Sequence, residues 1–173
     1  MFPLFTMENN TTTHQNSMNN KLNWQHGNAK LPKRIIHFSL ASGHSCPAAK
    51  DCLSKADPTT GKITDGPETI YRCYAATMEA RHSAVRRNRN INFNILRKCS
   101  SKQMFIKLHA SLQPLHDKYI KNHGQRPIIR AHVGGDFFNQ SYFLAWMDLC
   151  IHQTHRPLAS EPRPNTIKLR TQC

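Results

Sequence analysis

Arg34-Ile35-Ile36-His37-Phe38-Ser39-Leu40 runs directly into Ala41-Ser42-Gly43-His44-Ser45-Cys46-Pro47-Ala48-Ala49-Lys50-Asp51-Cys52, and the reading of this junction decides the fold. In its first half Ile36, Phe38 and Leu40 alternate onto one face, the period of a β-strand. Cys46 and Cys52 therefore stand just past a strand end. Cys73, in Arg72-Cys73-Tyr74-Ala75, completes the spacing Cys46-x5-Cys52-x20-Cys73. The excursion between them, with Asp57-Pro58-Thr59-Thr60-Gly61-Lys62 and Asp65-Gly66-Pro67, is almost all turn residues. Such a segment has little apolar surface with which to hold itself. A metal or cluster joining its ends supplies the missing constraint, and thiolate sulfur selects zinc or iron–sulfur clusters over hard cations. The spacing is neither the repeat of zinc ribbons nor a ferredoxin run. The competing reading is three small buried thiols with no chemical role.

Outward from this junction, residues 71–98 read as helix in two pieces, with Tyr74, Met78 and Val85 near one stripe. The opposite face carries Arg81, Arg86, Arg87, Arg89, Arg97 and Lys98, interleaved with Asn88, Asn90, Asn92 and Asn94. This basic stretch, 81–98, is a candidate contact for nucleic-acid phosphates, against the plainer reading of a solvated helix face. Residues 102–123 read as a second helix with Met104, Leu108, Leu112, Leu115 and Tyr119 as one buried stripe. Pro114 is expected to kink or split it, and Gly124 to end it. Arg126-Pro127-Ile128-Ile129-Arg130-Ala131-His132-Val133 is a second strand that runs into Gly134-Gly135-Asp136. A third helix follows, capped by Asn139 or Ser141 and carried by Tyr142, Phe143, Trp146, Leu149 and Cys150.

The chain has 173 residues, enough for one domain with a real core. Its 24 basic residues against 10 acidic ones give +14, a balance that favours phosphate-bearing partners. No apolar run is long enough to span a bilayer, and no signal-peptide pattern opens the chain. A reducing cytoplasm is the expected compartment, where cysteines bind metal or do chemistry more often than they form disulfides. Residues 1–27 read as a disordered Asn/Thr-rich N-terminus, 28–155 as the folded domain, and the proline-rich 156–173 as a loose tail.

Several blocks resemble the phage gene product 88 domain family. They are Gly27-Asn28-Ala29-Lys30-Leu31, Gly43-His44-Ser45-Cys46-Pro47-Ala48-Ala49, Ile63-Thr64-Asp65-Gly66-Pro67, Arg72-Cys73-Tyr74-Ala75-Ala76 and 130–140 from Arg130 through Gly134-Gly135-Asp136 to Gln140. The helix starting Tyr142-Phe143-Leu144-Ala145-Trp146 continues the match. Members occur in phages, plasmids and bacterial genomes, with no assigned activity. Family members usually continue from this helix into a further strand and further βα units. The tail here departs from that pattern, which reads as a truncation at the C-terminus.

The order strand, cysteine loop, helix, strand, Gly-Gly-Asp also looks like the opening of a radical S-adenosylmethionine barrel. That resemblance implies Cys46, Cys52 and Cys73 as ligands of a [4Fe-4S] cluster. It implies Gly134, Gly135 and Asp136 against the amino-acid end of S-adenosylmethionine, with His132 and Arg130 facing the same cavity or the same helix layer. The cysteine spacing is much wider than in those enzymes. The expected fold is α/β, a partial and open βα-barrel-like array with a few parallel strands and about three helices. The alternative function is a basic nucleic-acid-binding module stabilised by Zn, with His44 or His82 as fourth ligand. A structural protein with an inert cysteine loop is the third reading.

Overall fold

In the computed structural model the described residues are 21–155. Five short strands and four helices follow one another in this span: β1 (Gln25–His26), β2 (Ile35–His37), β3 (Ser54–Ala56), β4 (Ile63–Asp65), α1 (Tyr74–Arg81), α2 (Ser83–Leu96), α3 (Ser101–His123), β5 (Ile128–Arg130) and α4 (Gln140–His155). One sheet has the order β1-β2-β5, and β3 and β4 form a separate hairpin. β2 pairs antiparallel with β1 and parallel with β5, in the register Ile35↔Ile128, Ile36↔Ile129 and His37↔Arg130. The fold is thus mixed α/β, with a single parallel pair and no closed barrel among the described residues.

β2 is central because its residues suit burial on both sides. Ile36, Phe38 and Leu40 are fully buried, and His37 and Ser39 between them are nearly so. The parallel pairing continues past the strand ends: Phe38 N–H donates to Arg130 O, Val133 N–H to Phe38 O, and Leu40 N–H to Gly134 O at 2.9 Å. The core closes over this sheet with Leu96 of α2, Met104, Leu108 and Leu112 of α3, and Tyr142, Ala145, Trp146 and Leu149 of α4.

Each helix boundary has a local cause. His82 is extended (φ −122°, ψ 98°) and separates α1 from α2. Ser100 and Gln103 form a reciprocal capping box at the start of α3, and Gly124 ends it at φ 67°. Asn139 Oδ1 accepts the Tyr142 N–H at 2.8 Å, so Asn139 is the residue that caps α4. Pro114 neither splits nor ends α3, which runs unbroken from Ser101 to His123. Pro114 and Ala110, whose carbonyl loses its helical donor, are both exposed, so water can take the missing bond. The buried stripe of α3 reaches His116, while Leu115 and Tyr119 are only half-buried.

The boundary expected at residue 27 lies too late in the chain. Leu22 is buried, and the Trp24 ring packs tilted against Phe38 at 4.7 Å and edge-on against Trp146 at 5.9 Å. Its indole N–H donates to Ser111 Oγ at 2.8 Å. Two aromatic contacts and a satisfied polar atom tie this segment to the core. The rest of the expected N-terminal stretch, 1–20, and the tail 156–173 lie outside the described residues.

Candidate functional site

Because β2 and β5 are parallel, the turns that follow them emerge at one edge of the sheet, where ligand sites of open α/β folds collect. Ser45 joins the two turns. Its hydroxyl donates to Ala41 O at 2.8 Å and accepts the Asp136 N–H at 3.3 Å. The excursion from Cys46 to Cys73 returns to the same edge: Ile70 N–H and Tyr71 N–H both donate to Asp51 O, and Cys73 N–H donates to Ser54 Oγ at 3.3 Å. Cys73 is the N-cap of α1.

The three cysteines are half-buried and unbridged. Burial pushes the Cys46 thiol above its ordinary value, opposed by hydrogen bonds from Gly43 and Ser45 and reinforced by the charges of Asp136 and Cys73. The charge of Cys52 raises the Tyr71 phenol above its ordinary value, with burial, hydrogen bonding to Cys52 and the charges of Asp51 and Cys73 adding to the effect. Asp136 itself is exposed and accepts its neighbour's N–H, from Phe137, at 2.7 Å.

Beneath the corner lies a buried ion pair that the sequence reading missed. Glu79 of α1 is fully buried, and its Oε1 accepts from Ser42 N–H at 3.0 Å, Ser42 Oγ at 2.6 Å and Arg89 Nη1 at 2.9 Å. Arg89 also donates to Ala75 O and packs under the second turn, where a Cβ on Gly134 would stand 2.5 Å from its Nη1. Gly135 has φ +81° and leaves no room for a Cβ beside Ser45 Oγ and Leu40. Both glycines thus have a reason within the fold, in addition to the close ligand approach expected of them. Glu79 and Arg89 are ten positions apart across the His82 break, so no helical spacing advertises the pair.

The excursion is also held from within, which corrects the expectation that it lacks a constraint of its own. β3 and β4 form a ladder, with Ser54 and Ala56 fully buried. Asp57 Oδ1 accepts from Thr59 N–H, Thr60 N–H and Thr60 Oγ1. Arg86 reaches from α2 to the carbonyls of Pro58, Thr59, Glu79 and Ala80. Arg86 and Arg89, expected on a basic outer face, are each 8% exposed. Asn90 and Asn92 are buried as well, Asn92 bonding Asn23 O and Ser39 O. The exposed cations of the 81–98 stretch are Arg81, Arg87, Arg97 and Lys98.

Of the residues expected to meet a cofactor, Gly134, Gly135 and Asp136 stand at the cysteine corner. His132 is taken up by an aromatic nest, with the Phe137 ring at 4.7 Å and Trp146 at 6.0 Å, and its Nε2 lies 3.1 Å from Tyr142 Oη. Burial lowers His132 to about 4, against a smaller opposing pull from Asp136. Arg130 is exposed and folds back so that its Nε donates to His132 O.

Among the described residues no three His, Cys, Asp or Glu side chains form a group that could hold a metal ion. The donor chemistry suits a soft centre, and His44 Nε2, two residues before Cys46, is buried without a hydrogen-bond partner. Cys46, Cys52 and Cys73, expected to share one centre, do not form such a group in this structure. No helix of the described residues is long and apolar enough to cross a membrane.

No curated protein and no solved structure matches the chain. A sequence model of the gene product 88 family matches residues 3–156, which include every strand, helix and turn described above. The chain belongs to the gene product 88 family.

Proposed function

We propose that Cys46, Cys52 and Cys73, beside Gly134-Gly135-Asp136, form a thiolate site for an iron–sulfur cluster in a phage- or plasmid-type protein of the reducing cytoplasm. The observation that carries this reading is the hydrogen bond from the Asp136 N–H to Ser45 Oγ, which brings the Gly-Gly-Asp turn beside Cys46 where two parallel strands end. A bound cluster supplies one-electron chemistry; Asp136 supplies a carboxylate for the ammonium of a cofactor such as S-adenosylmethionine. In this reading β2, the intervening helices and β5 are the opening of a longer, open βα-barrel-like array. The chain's own work is to gather the thiols, to shield Cys46 and to hold the Gly-Gly-Asp turn over Ser45.

The buried, unpartnered His44 Nε2 favours a second reading of the same corner, in which His44 is the fourth ligand of a structural zinc. The exposed residues Arg81, Arg87, Arg97 and Lys98 then offer phosphate contacts to nucleic acid. Anaerobic purification followed by iron, zinc and acid-labile sulfide determination separates the two. Iron with sulfide supports the cluster, and about one zinc per chain, as in structural sites, supports the second reading. Wild-type protein without metal, or metal retained by the Cys46→Ser/Cys52→Ser/Cys73→Ser variant, refutes both.

A further inference from the structure

The cysteine corner leaves the chain's +14 charge without a use. Two of the chain's lysines, Lys33 and Lys118, line a cleft away from that corner. This cleft of about 360 Å³ opens between the β1–β2 hairpin and the C-terminal half of α3, lined by His26, Lys33, Lys118, Tyr119, Asn122 and His123. On α3 the lining positions 118, 119, 122 and 123 recur at helical spacing and form one face. The opposite wall comes from the hairpin. Cations therefore face the cleft from two separate elements, and no acidic residue lines it.

A solvated helix face presents one wall to water; this one is met by a second, and a concave low-dielectric cleft of one sign focuses its field on an incoming anion. Lys33, Lys118, His26 and His123 are exposed, and none is in the ion pairs of the described residues, which are Arg72–Asp65, Arg89–Glu79 and the His116–Asp117 contact. Tyr119 and His123 bring their rings within 4.3 Å, an aromatic surface inside a positive groove. A second cleft of about 580 Å³ lies next to it on α3, sharing Leu115 and lined also by Lys21 and Lys107. From Lys107 to His123 the helix rises about 24 Å.

We propose that this groove binds a single-stranded nucleic acid, its phosphates held by Lys33 and Lys118 and a base stacked on Tyr119. The combination of a cationic track with aromatic side chains is the physical requirement for such binding. This proposal is independent of the cysteine corner and differs in place from the 81–98 stretch.

The test is fluorescence anisotropy of the full chain with labelled oligothymidylate, oligouridylate and a duplex of equal length, across a salt series. Lys33→Glu/Lys118→Glu is compared with Lys55→Glu/Lys62→Glu, a pair of exposed residues with the same charge change on the β3–β4 hairpin. The milder Lys33→Gln/Lys118→Gln and a Tyr119→Leu variant accompany them, each with a circular dichroism spectrum to check folding. The groove pair is expected to weaken binding at least about tenfold and to flatten its salt dependence. The hairpin pair should weaken it less than about threefold, as expected for cations that touch no phosphate, and Tyr119→Leu should cost about tenfold. A preference for either oligothymidylate or oligouridylate identifies DNA or RNA as the ligand. Absence of binding, equal losses in the two charge pairs, or tighter binding to the duplex overturns the proposal.

Discussion

Glu79→Ala should damage the fold more than any surface change in the chain. The carboxylate is fully buried and Oε1 receives three donors, two from Ser42 and one from Arg89. Removing it leaves the Arg89 guanidinium, whose side chain is 10% exposed, with Ala75 O as its remaining acceptor. It also strands the Ser42 N–H and hydroxyl in the interior. Breaking a buried pair by deleting one partner costs about 3–5 kcal/mol, and unsatisfied donors belong to the same penalty. For a chain of this size that is a fall in Tm of about 10 °C. Urea unfolding followed by far-UV circular dichroism measures it as a lower midpoint with unchanged slope. The double variant Glu79→Met/Arg89→Met should recover part of the loss, because replacing both charges removes the stranded one. A loss below about 1 kcal/mol for Glu79→Ala, the level of an exposed ion pair, would refute the argument that this pair ties the two turns together.

Gly134→Ala should destabilise the chain by about 1–3 kcal/mol, the usual cost of overpacking, since the new Cβ would stand 2.5 Å from Arg89 Nη1; chemical unfolding reads it directly. Trp24→Ala should cost about 3 kcal/mol, as for other large core truncations, whereas no loss would detach the 22–27 segment from the core. His132 is held at about 4 by burial, below its ordinary 6.5. The unfolded chain therefore binds the extra proton between those values. The stabilisation is fully present above pH 6.5 and is lost as pH falls toward 4, with about 3 kcal/mol at stake. His37, lowered mainly by burial, acts in the same direction. Midpoints measured across this window should show a shallower slope in His132→Phe.

What could be read in advance were features that a short window contains. The period of β2, the stripe of Met104, Leu108 and Leu112, the Gly124 stop and the Asn139 cap are all local patterns, and the structure has each. The parallel β2–β5 pair followed from the two strands and the helices between them. What stayed hidden depends on contacts across the chain. Arg86 and Arg89 look like surface cations until Glu79 and the 57–61 loop are seen beneath them. The β3–β4 hairpin was masked by turn residues, although Asp57-Pro58-Thr59-Thr60-Gly61 between short runs is itself a hairpin signal. Trp24 sits in a polar sequence neighbourhood, so only its partners Phe38, Trp146 and Ser111 reveal that it belongs to the core. That Cys46 and Cys52 follow a strand end was legible; that the three cysteines form no metal-holding group in this structure was not.

Differential alkylation tests the central claim most directly. Anaerobically purified protein is treated with a thiol reagent before and after metal removal by a chelator, and each of the six cysteines is located by peptide mass spectrometry. The account predicts that Cys46, Cys52 and Cys73 react together only after chelation, while Cys99 and Cys150 behave alike in both samples. Reaction of the three at unchanged rates before and after chelation would contradict it.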